Sequence, residues 1–341
     1  MSQTGWQAIS LALLCEAGDR VEEALLRSGH PGSVYCSGLA WQLAAWDSQD
    51  PARKAAVFRH KEAGAWFVGA RGPLLGFQDA LQPLEVDWSF GFSLIDPDPD
   101  IPARVDRLMD LLSDEDAVPS LIWLGGVPGR GPFLRTLQAR CRNRFKVLTV
   151  PGTDCVELDL EEGVEAWRKR RTAKFRANIK RIDRLNTEAG HRFEWHARGE
   201  PVEDTGRLLD LIEDIEHRSW KGDDPGENIF RQKRFRSFYI SLFRKTAENG
   251  NLRLALVRNR EDEAVAYAIG GRLGRYFRGF QMSFDKACRS TGPGNWIQAR
   301  MLDPLAQEGV TIYDLGMALP YKKRWADREV PLVNLMLLRL S

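Results

Sequence analysis

Metal-binding and redox signatures are what this 341-residue chain has least of. Its five cysteines (Cys15, Cys36, Cys141, Cys155, Cys288) form an odd, widely spaced set without a CxxC pair. That argues against a disulfide framework and a zinc site, and it fits a reducing compartment. The five histidines are scattered, with no HExxH or comparable spacing, so no metal ligand set is expected. Long hydrophobic runs are missing too. The longest N-terminal apolar stretch, Ala8 to Cys15, is too short to span a bilayer and has no basic flank before it; neither a signal peptide nor a transmembrane helix is expected. Net charge is only +2, which leaves no global electrostatic demand for nucleic acid or membrane. The expectation is a cytoplasmic protein, with the inner face of the membrane as an alternative place of work.

What is present is an ordinary globular composition, 43% hydrophobic and 28% charged, in a chain long enough for two cores. In the first half, GAWFVGAR (64–71), WSFGFSLI (88–95), SLIWLGG (120–126) and FKVLTV (145–150) read as strands, being short, aromatic or β-branched and bounded by glycine or proline. IPARVDRLMDLLS (101–113) and PFLRTLQARCRN (132–143) carry apolar residues at helical spacing. The chain turns near Pro151–Asp154, which sets expected domains of 1–153 and 154–341. LGGVPGRGPF (124–133) repeats the pattern of strand, glycines and helix but lacks both the P-loop ending and the dinucleotide spacing. It reads as a connection in a degenerate domain, or as a second phosphate site.

The second half is more regular. Glu165 to Glu188 contains neither glycine nor proline and predicts one long helix. HRFEWHA (191–197) is a strand; 201–220 and 229–249 are helices, the latter stopped by Gly250. LRLALVRN, EAVAYAIGG and RYFRGFQMS predict an antiparallel meander. There follow the turn TGPGN, a helix from about Asn295 to Glu308, the strand TIYDLG (311–316), a short Tyr321–Ala326 piece and a last apolar strand, LVNLMLLRL. In 275–309 the run RYFRGFQMSFDKACRS reads as strand, and it passes through Gly292 and Gly294 into a helix start. Such a turn leaves backbone N–H groups pointing one way at the positive end of a helix, an arrangement that suits phosphate or diphosphate.

This order of elements resembles the GNAT acyltransferase fold. HRSWKGDD (217–224), AYAIGG with FDKACRSTGPGNWI downstream, and YDLGMALPYKKRWA (313–326) resemble the CelD-like branch of that superfamily, related to the Fem-type aminoacyl transferases. The resemblance spans roughly residues 160–330. It implies an α/β fold of tandem GNAT-like domains, with mixed, mostly antiparallel sheets flanked by helices and a degenerate N-terminal domain. It also implies acyl-CoA, acetyl-CoA being the expected one, as a co-substrate with no tightly bound cofactor. The family's Q/R-x-x-G-x-G/A turn is represented by Arg289, Gly292 and Gly294, with Thr291 and Asn295 as further candidate donor contacts, but Pro293 stands between the glycines and removes one N–H donor. Tyr321 lies where such enzymes carry the acid that protonates a leaving thiolate; otherwise it packs beside Trp325. Lys322 could touch phosphate or an anionic acceptor. Asp285, before the turn, is a candidate base or orienter, or an ordinary turn residue. Glu216 and Glu213 share a helix face and, with Trp220, Lys221 and Gln281, could line the acceptor side; the alternative is a solvated face. His217 reads as structural.

Between Arg168 and Arg184 nine basic residues face one acid, Asp183, while Phe175, Ile179 and Ile182 mark a narrow apolar stripe. The segment 165–188 is therefore a candidate surface for tRNA, an anionic lipid carrier or coenzyme A phosphates. The function expected is acyl transfer to an amine or hydroxyl acceptor, such as a cell-envelope or exopolysaccharide precursor. The rivals are tRNA-dependent aminoacyl transfer and a non-catalytic binding protein of the same fold.

Overall fold

Glycine and proline punctuation divides the chain into the strands and helices of two α/β units. The computed structural model describes residues 5–28, 33–49, 51–199, 202–222 and 229–340. One unit comprises Met1–Cys155 with Val330–Ser341, the other Val156–Glu329.

The first unit opens with β1 (Trp6–Ile9) and four helices, α1 (Leu11–Glu16), α2 (Gly18–Arg27), α3 (Val34–Ser37) and α4 (Leu39–Asp47). An antiparallel meander follows, β2 (Lys54–His60), β3 (Trp66–Leu74) and β4 (Phe77–Pro83), with the two-residue β5 (Leu94–Ile95) pairing beside β3. Then come α5 (Ile101–Leu112), β6 (Leu121–Pro128), α6 (Pro132–Cys141) and β7 (Phe145–Pro151). Apolar side chains from α5, α6 and the inward face of the sheet make one core, including Phe67, Leu81, Leu108, Leu112, Phe133 and Leu137. The expected strand at 88–95 is confined to Leu94–Ile95. Its upstream N–H groups are unavailable to a ladder, because those of Trp88, Ser89 and Phe90 donate to the buried Glu85 carboxylate.

The second unit comprises β8 (Cys155–Asp159), α7 (Val164–Arg170), α8 (Ala173–Glu188), β9 (Arg192–His196), α9 (Thr205–Arg218), α10 (Lys233–Glu248), β10 (Leu252–Arg258), β11 (Ala264–Leu273) and β12 (Tyr276–Phe284). It ends with α11 (Pro293–Arg300), α12 (Leu302–Gln307), β13 (Ile312–Met317), α13 (Pro320–Lys323) and β14 (Arg328–Val330), ahead of the last strand, β15 (Leu332–Arg339). The single helix expected over 165–188 is two: Arg171 turns extended (ψ 151°), and the Thr172 side chain caps α8 by accepting from the Phe175 N–H. The helix expected over 295–308 divides at Met301. The strand expected to run to Ser290 stops at Phe284, where Asp285 caps a 3-10 turn over Lys286–Thr291. Alternation along the strands directs Ala255, Val257, Ala266, Ala268 and Phe277 to a core shared with Trp167, Ile182, Trp296, Ile297 and Leu305 of α7, α8, α11 and α12. The opposite face carries Tyr267 and Gln281, which meet α9 and α10.

The two sheets are built alike. Their orders are β1-β2-β3-β4-β6-β15-β7 and, read in the same sense, β9-β10-β11-β12-β13-β8-β14. In each, an antiparallel meander is followed by one parallel partner, β4 with β6 and β12 with β13. The next place is taken by a strand distant in sequence. The last strand was expected in the C-terminal domain; it lies instead between β6 and β7, antiparallel to both. Among the described residues no helix is long and apolar enough to cross a membrane.

Candidate active site

The parallel pairing of β12 with β13 covers only three residue pairs, Tyr276 with Ile312, Phe277 with Tyr313 and Arg278 with Asp314. Both strands continue past that point, β12 to Phe284 and β13 to Met317, so they part. On its other side β12 stays paired with β11 as far as Phe284, with an irregularity opposite Ile269 and Gly270 that accommodates one extra residue, Phe280. A bulge of this kind bends the strand and re-aims its backbone. The point of divergence is pinned by a buried ion pair, Arg278 Nη1 to Asp314 Oδ2 at 2.6 Å, while Asp314 Oδ1 accepts from the Gly316 N–H at 2.7 Å. Behind it, burial followed by the proximity of Asp314 pushes the Glu157 carboxyl up to about 7. Nothing in the sequence pattern marks Glu157, since its position depends on β8 entering this sheet.

Beyond β12 the chain reaches the glycine turn. Gly292 adopts a left-handed conformation (φ 67°), which glycine tolerates without strain, and its N–H donates to the Arg289 carbonyl at 3.2 Å. Pro293 is the first residue of α11 and has no N–H to give. The first intrahelical bond runs from the Trp296 N–H to the Gly292 carbonyl. The Gly294 and Asn295 N–H groups lie between these positions and donate to no described residue. The turn thus offers two amides at the positive end of a helix. Gly294 is closely packed, because a Cβ there would lie 3.0 Å from the Phe284 ring and the ring would have to give by a few tenths of an ångström. Thr291 is held from both ends, its hydroxyl on the Cys288 carbonyl and its own carbonyl receiving Asn186 Nδ2. The Arg289 side chain is exposed.

Asp285 is committed elsewhere. One carboxylate oxygen caps the 3-10 turn through the Ala287 N–H at 2.8 Å, and the other pairs with Arg218 Nη1 at 2.5 Å. Both oxygens are thus engaged, which is the geometry of a turn-forming and ion-paired residue. Glu213 pairs with Arg236.

Glu216 is buried at 1% exposure, although on sequence alone a wet helix face was equally open. Its Oε1 accepts from the Tyr267 hydroxyl and from Lys221 Nζ at 3.0 Å. Lys221 Nζ also donates to the Met282 carbonyl at 3.1 Å, in the stretch of β12 that has left β13. Glu216 Oε2 and the buried Ser283 hydroxyl, which lies opposite Tyr267 in the ladder, have no partner among the described residues. Burial and then the Glu216 charge raise the Tyr267 phenol well above its ordinary range, so it remains a donor. Gln281 on the same face donates to the Tyr239 hydroxyl at 2.9 Å, whereas Trp220 is 49% exposed. The structure therefore brings Glu216 and Lys221 together against β12, while Gln281, on the same face of that strand, is held by Tyr239. Tyr267 and Ser283 complete the cluster, and sequence reading missed both. A lone tyrosine inside the apolar run AYAIGG was the available signal, because a buried hydroxyl needs a partner. Asp223 and Asp224 of HRSWKGDD lie outside the described residues.

Tyr321 and Lys322 occupy the short α13, just after β13. Tyr321 is 43% exposed, and the burial of the rest holds its phenol above the usual value. Lys322 Nζ donates to the Leu315 carbonyl at 2.7 Å, one residue past the last pairing with β12. The basic segment divides in two. Arg168, Arg170 and Arg171 are ion-paired with Glu165, Asp303, Glu162 and Asp327. On α8, Lys174, Arg176, Lys180 and Arg181 are exposed and form no ion pair with a described residue. Among the described residues no group of three or more His, Cys, Asp or Glu side chains is placed to hold a metal ion.

Residues 173–323 match the family model described as an acetyltransferase (GNAT) domain, so the second unit carries a GNAT-type domain. No curated protein matches the chain. Among solved structures, FemX aligns with 98% of this chain and 97% of its own at 13% identity and a TM-score of 0.65. A conserved protein of unknown function from Bacteroides thetaiotaomicron aligns with 98% of this chain and 99% of its own at 12% identity and a TM-score of 0.64. L-PGS from Bacillus licheniformis covers 95% of this chain and 91% of its own at 11% identity, with a TM-score of 0.51. At these identities the likeness is one of fold, and it extends over both units. With the shared strand order, it identifies two GNAT-like units in tandem.

Proposed function

We propose that the second unit catalyses direct acyl transfer from acyl-CoA to an amine or hydroxyl acceptor. The observation that carries this reading is the parting of β12 from β13 beside the two unpartnered amides that open α11. A separated pair of strands lets an extended acyl-pantetheine arm take the place of the missing strand pairing, while the helix start meets its diphosphate. Gly294 and Asn295 donate to phosphate oxygens, with Arg289 and Thr291 at the rim. Backbone N–H groups on the parted edge of β12 polarise the thioester carbonyl. The acceptor's lone pair forms the new bond to the carbonyl carbon, the carbon–sulfur bond breaks, and Tyr321 gives its proton to the departing thiolate. Its raised proton affinity keeps that proton in place through neutral pH. Lys221, bridging Glu216 and the β12 backbone, orients the acceptor, whose proton leaves through the Glu216 side; Gln281 and Trp220 border that approach. Asp285 is left a structural part.

The CelD-like motifs favour a cell-envelope or exopolysaccharide precursor as the acceptor and the cytoplasm, or its membrane face, as the location. A second reading, aminoacyl transfer from tRNA, is favoured by the unpaired cations of α8 and by the donor lost at Pro293. Full-length protein should release free thiol from acetyl-CoA only when a suitable amine or hydroxyl compound is added. Tyr321→Phe should reduce kcat by about a hundredfold or more with the donor KM unchanged. Absence of acyl-CoA binding, with RNase-sensitive activity on charged tRNA instead, would replace the first reading by the second.

A further inference from the structure

The LGGVPGRGPF segment of the first unit belongs to none of this chemistry. It carries β6 into α6 through Gly131, and no side chain caps the helix. Pro132 is the first helical residue, and the N–H groups of Phe133 and Leu134, ahead of the first intrahelical bond, donate to no described residue. A Cβ placed on Gly131 would meet nothing within 4 Å, so open space borders the helix start.

Against this first turn lies a second, independent feature. The guanidinium carbon of Arg104, on α5, sits 5.6 Å from the centroid of the Phe133 ring. Arg104 is only 3% exposed. Its Nη1 donates to the Ser28 carbonyl at 2.9 Å, but Nε and Nη2 have no partner among the described residues. The nearby carboxylates are already taken, since Arg107 holds Asp96 through Nε and Nη2 and reaches Asp98 as well. Nε and Nη2 form one edge of the guanidinium. By that same edge Arg107 grips Asp96, and Arg71 and Arg140 grip Asp79 and Asp106. In Arg104 the edge is intact, buried and without a carboxylate from any described residue. A buried, unmatched guanidinium is expensive, and a bidentate fork of this kind fits carboxylate or phosphate oxygens.

We infer that the first unit holds a phosphate group between the Nε/Nη2 edge of Arg104 and the opening amides of α6. Phosphate is preferred to carboxylate because the fork takes two oxygens and a third remains for the amides. The site is separate from the acyl-donor turn, which belongs to the second unit.

Calorimetric titration of inorganic pyrophosphate and inorganic phosphate into the full chain, with acetyl-CoA already saturating, tests this directly. Wild type should bind either anion; Arg104→Met, which removes the charge from the core, should bind neither. Arg104→Lys, which keeps the charge without the fork, should weaken binding about tenfold or more. Pyrophosphate should also slow hydrogen exchange at the amides of residues 133 and 134 in the wild-type protein, a readout that requires no variant to fold. Absence of binding by wild type, equal affinity in Arg104→Met, malonate binding as tightly as phosphate, or unaltered exchange at those amides would each overturn the assignment. The result does not depend on the acyl-transfer reading. If acetyl-CoA fails to bind, that reading falls while the Arg104-dependent heat remains.

Discussion

Replacing Pro293 by alanine should strengthen acyl-CoA binding while weakening the fold. Pro293 occupies the first position of α11, directly before the unpartnered Gly294 and Asn295 amides. Alanine there supplies a third N–H in the same row. A hydrogen bond to a charged oxygen contributes about 1.5–3 kcal/mol, and about 1.4 kcal/mol is a tenfold change in Kd. Taking the lower value, because the first helical N–H points least directly along the axis, acetyl-CoA should bind about tenfold more tightly. Stability moves the other way. Proline restrains the unfolded chain by about 0.4–1 kcal/mol, and the buried ring leaves a small void when truncated. A loss of about 1–2 kcal/mol corresponds to a fall in Tm of a few degrees for a domain of this size. Calorimetry with acetyl-CoA, set beside S-acetylpantetheine, separates the effects, since the second ligand lacks the diphosphate and should bind both proteins equally. An unchanged acetyl-CoA Kd, or an equal gain for both ligands, would refute the placement of the diphosphate at this helix.

Much of the second unit was legible because each element carries its own period. The three-stranded meander and the helices around it follow from local alternation and spacing, and the expectation of mixed sheets flanked by helices holds for both units. What could not be read is non-local. β8 and β14 are five and three residues long, too short to show alternation. The membership of β15 in the first sheet is decided by pairing with β6 and β7, about which its apolar run says nothing. Helix breaks were missed where a side chain outcompeted the continuing helix, as Thr172 does in capping α8.

The site shows the same division. A glycine turn before a helix is a local pattern, so its position was readable, as was the proline that removes a donor. The state of a carboxylate is not local. Asp285 and Glu216 look equivalent in sequence, yet one is bound by Arg218 and a turn amide, while the other is buried with Tyr267 and Lys221. Only the strand that brings Tyr267 under α9 distinguishes them. The basic segment makes the point for charge. Its arginines on α7 answer to acids up to 157 residues away, so a count along the sequence overstated the free cations.

Two further outcomes follow from the buried charges. Lys221→Met removes the cationic partner of Glu216, a pair with side chains 12% and 1% exposed, and should cost about 3–5 kcal/mol in denaturant titrations. Adding Glu216→Gln should restore most of it, and a purely additive double variant would show that the pair is not coupled. Glu157 gives a pH-dependent result. Its carboxyl lies near 7 in the folded chain against an ordinary 4.5, through burial first and Asp314 second, with Arg328 and Arg278 opposing. The folded state therefore binds this proton more tightly than the unfolded state. The destabilisation is absent below about pH 4.5, grows as pH rises toward 7, and is constant above that. At about 1.4 kcal/mol per pH unit the separation amounts to about 3 kcal/mol. Glu157→Gln should therefore match wild type near pH 4 and exceed its stability by up to about 3 kcal/mol near pH 8, less whatever the Arg328 contact at 3.6 Å contributes. A difference between the two proteins that stays the same at both pH values would mean that Glu157 is ionised at no cost in the folded chain, and that the junction of β8 with β13 is wetter than its packing indicates.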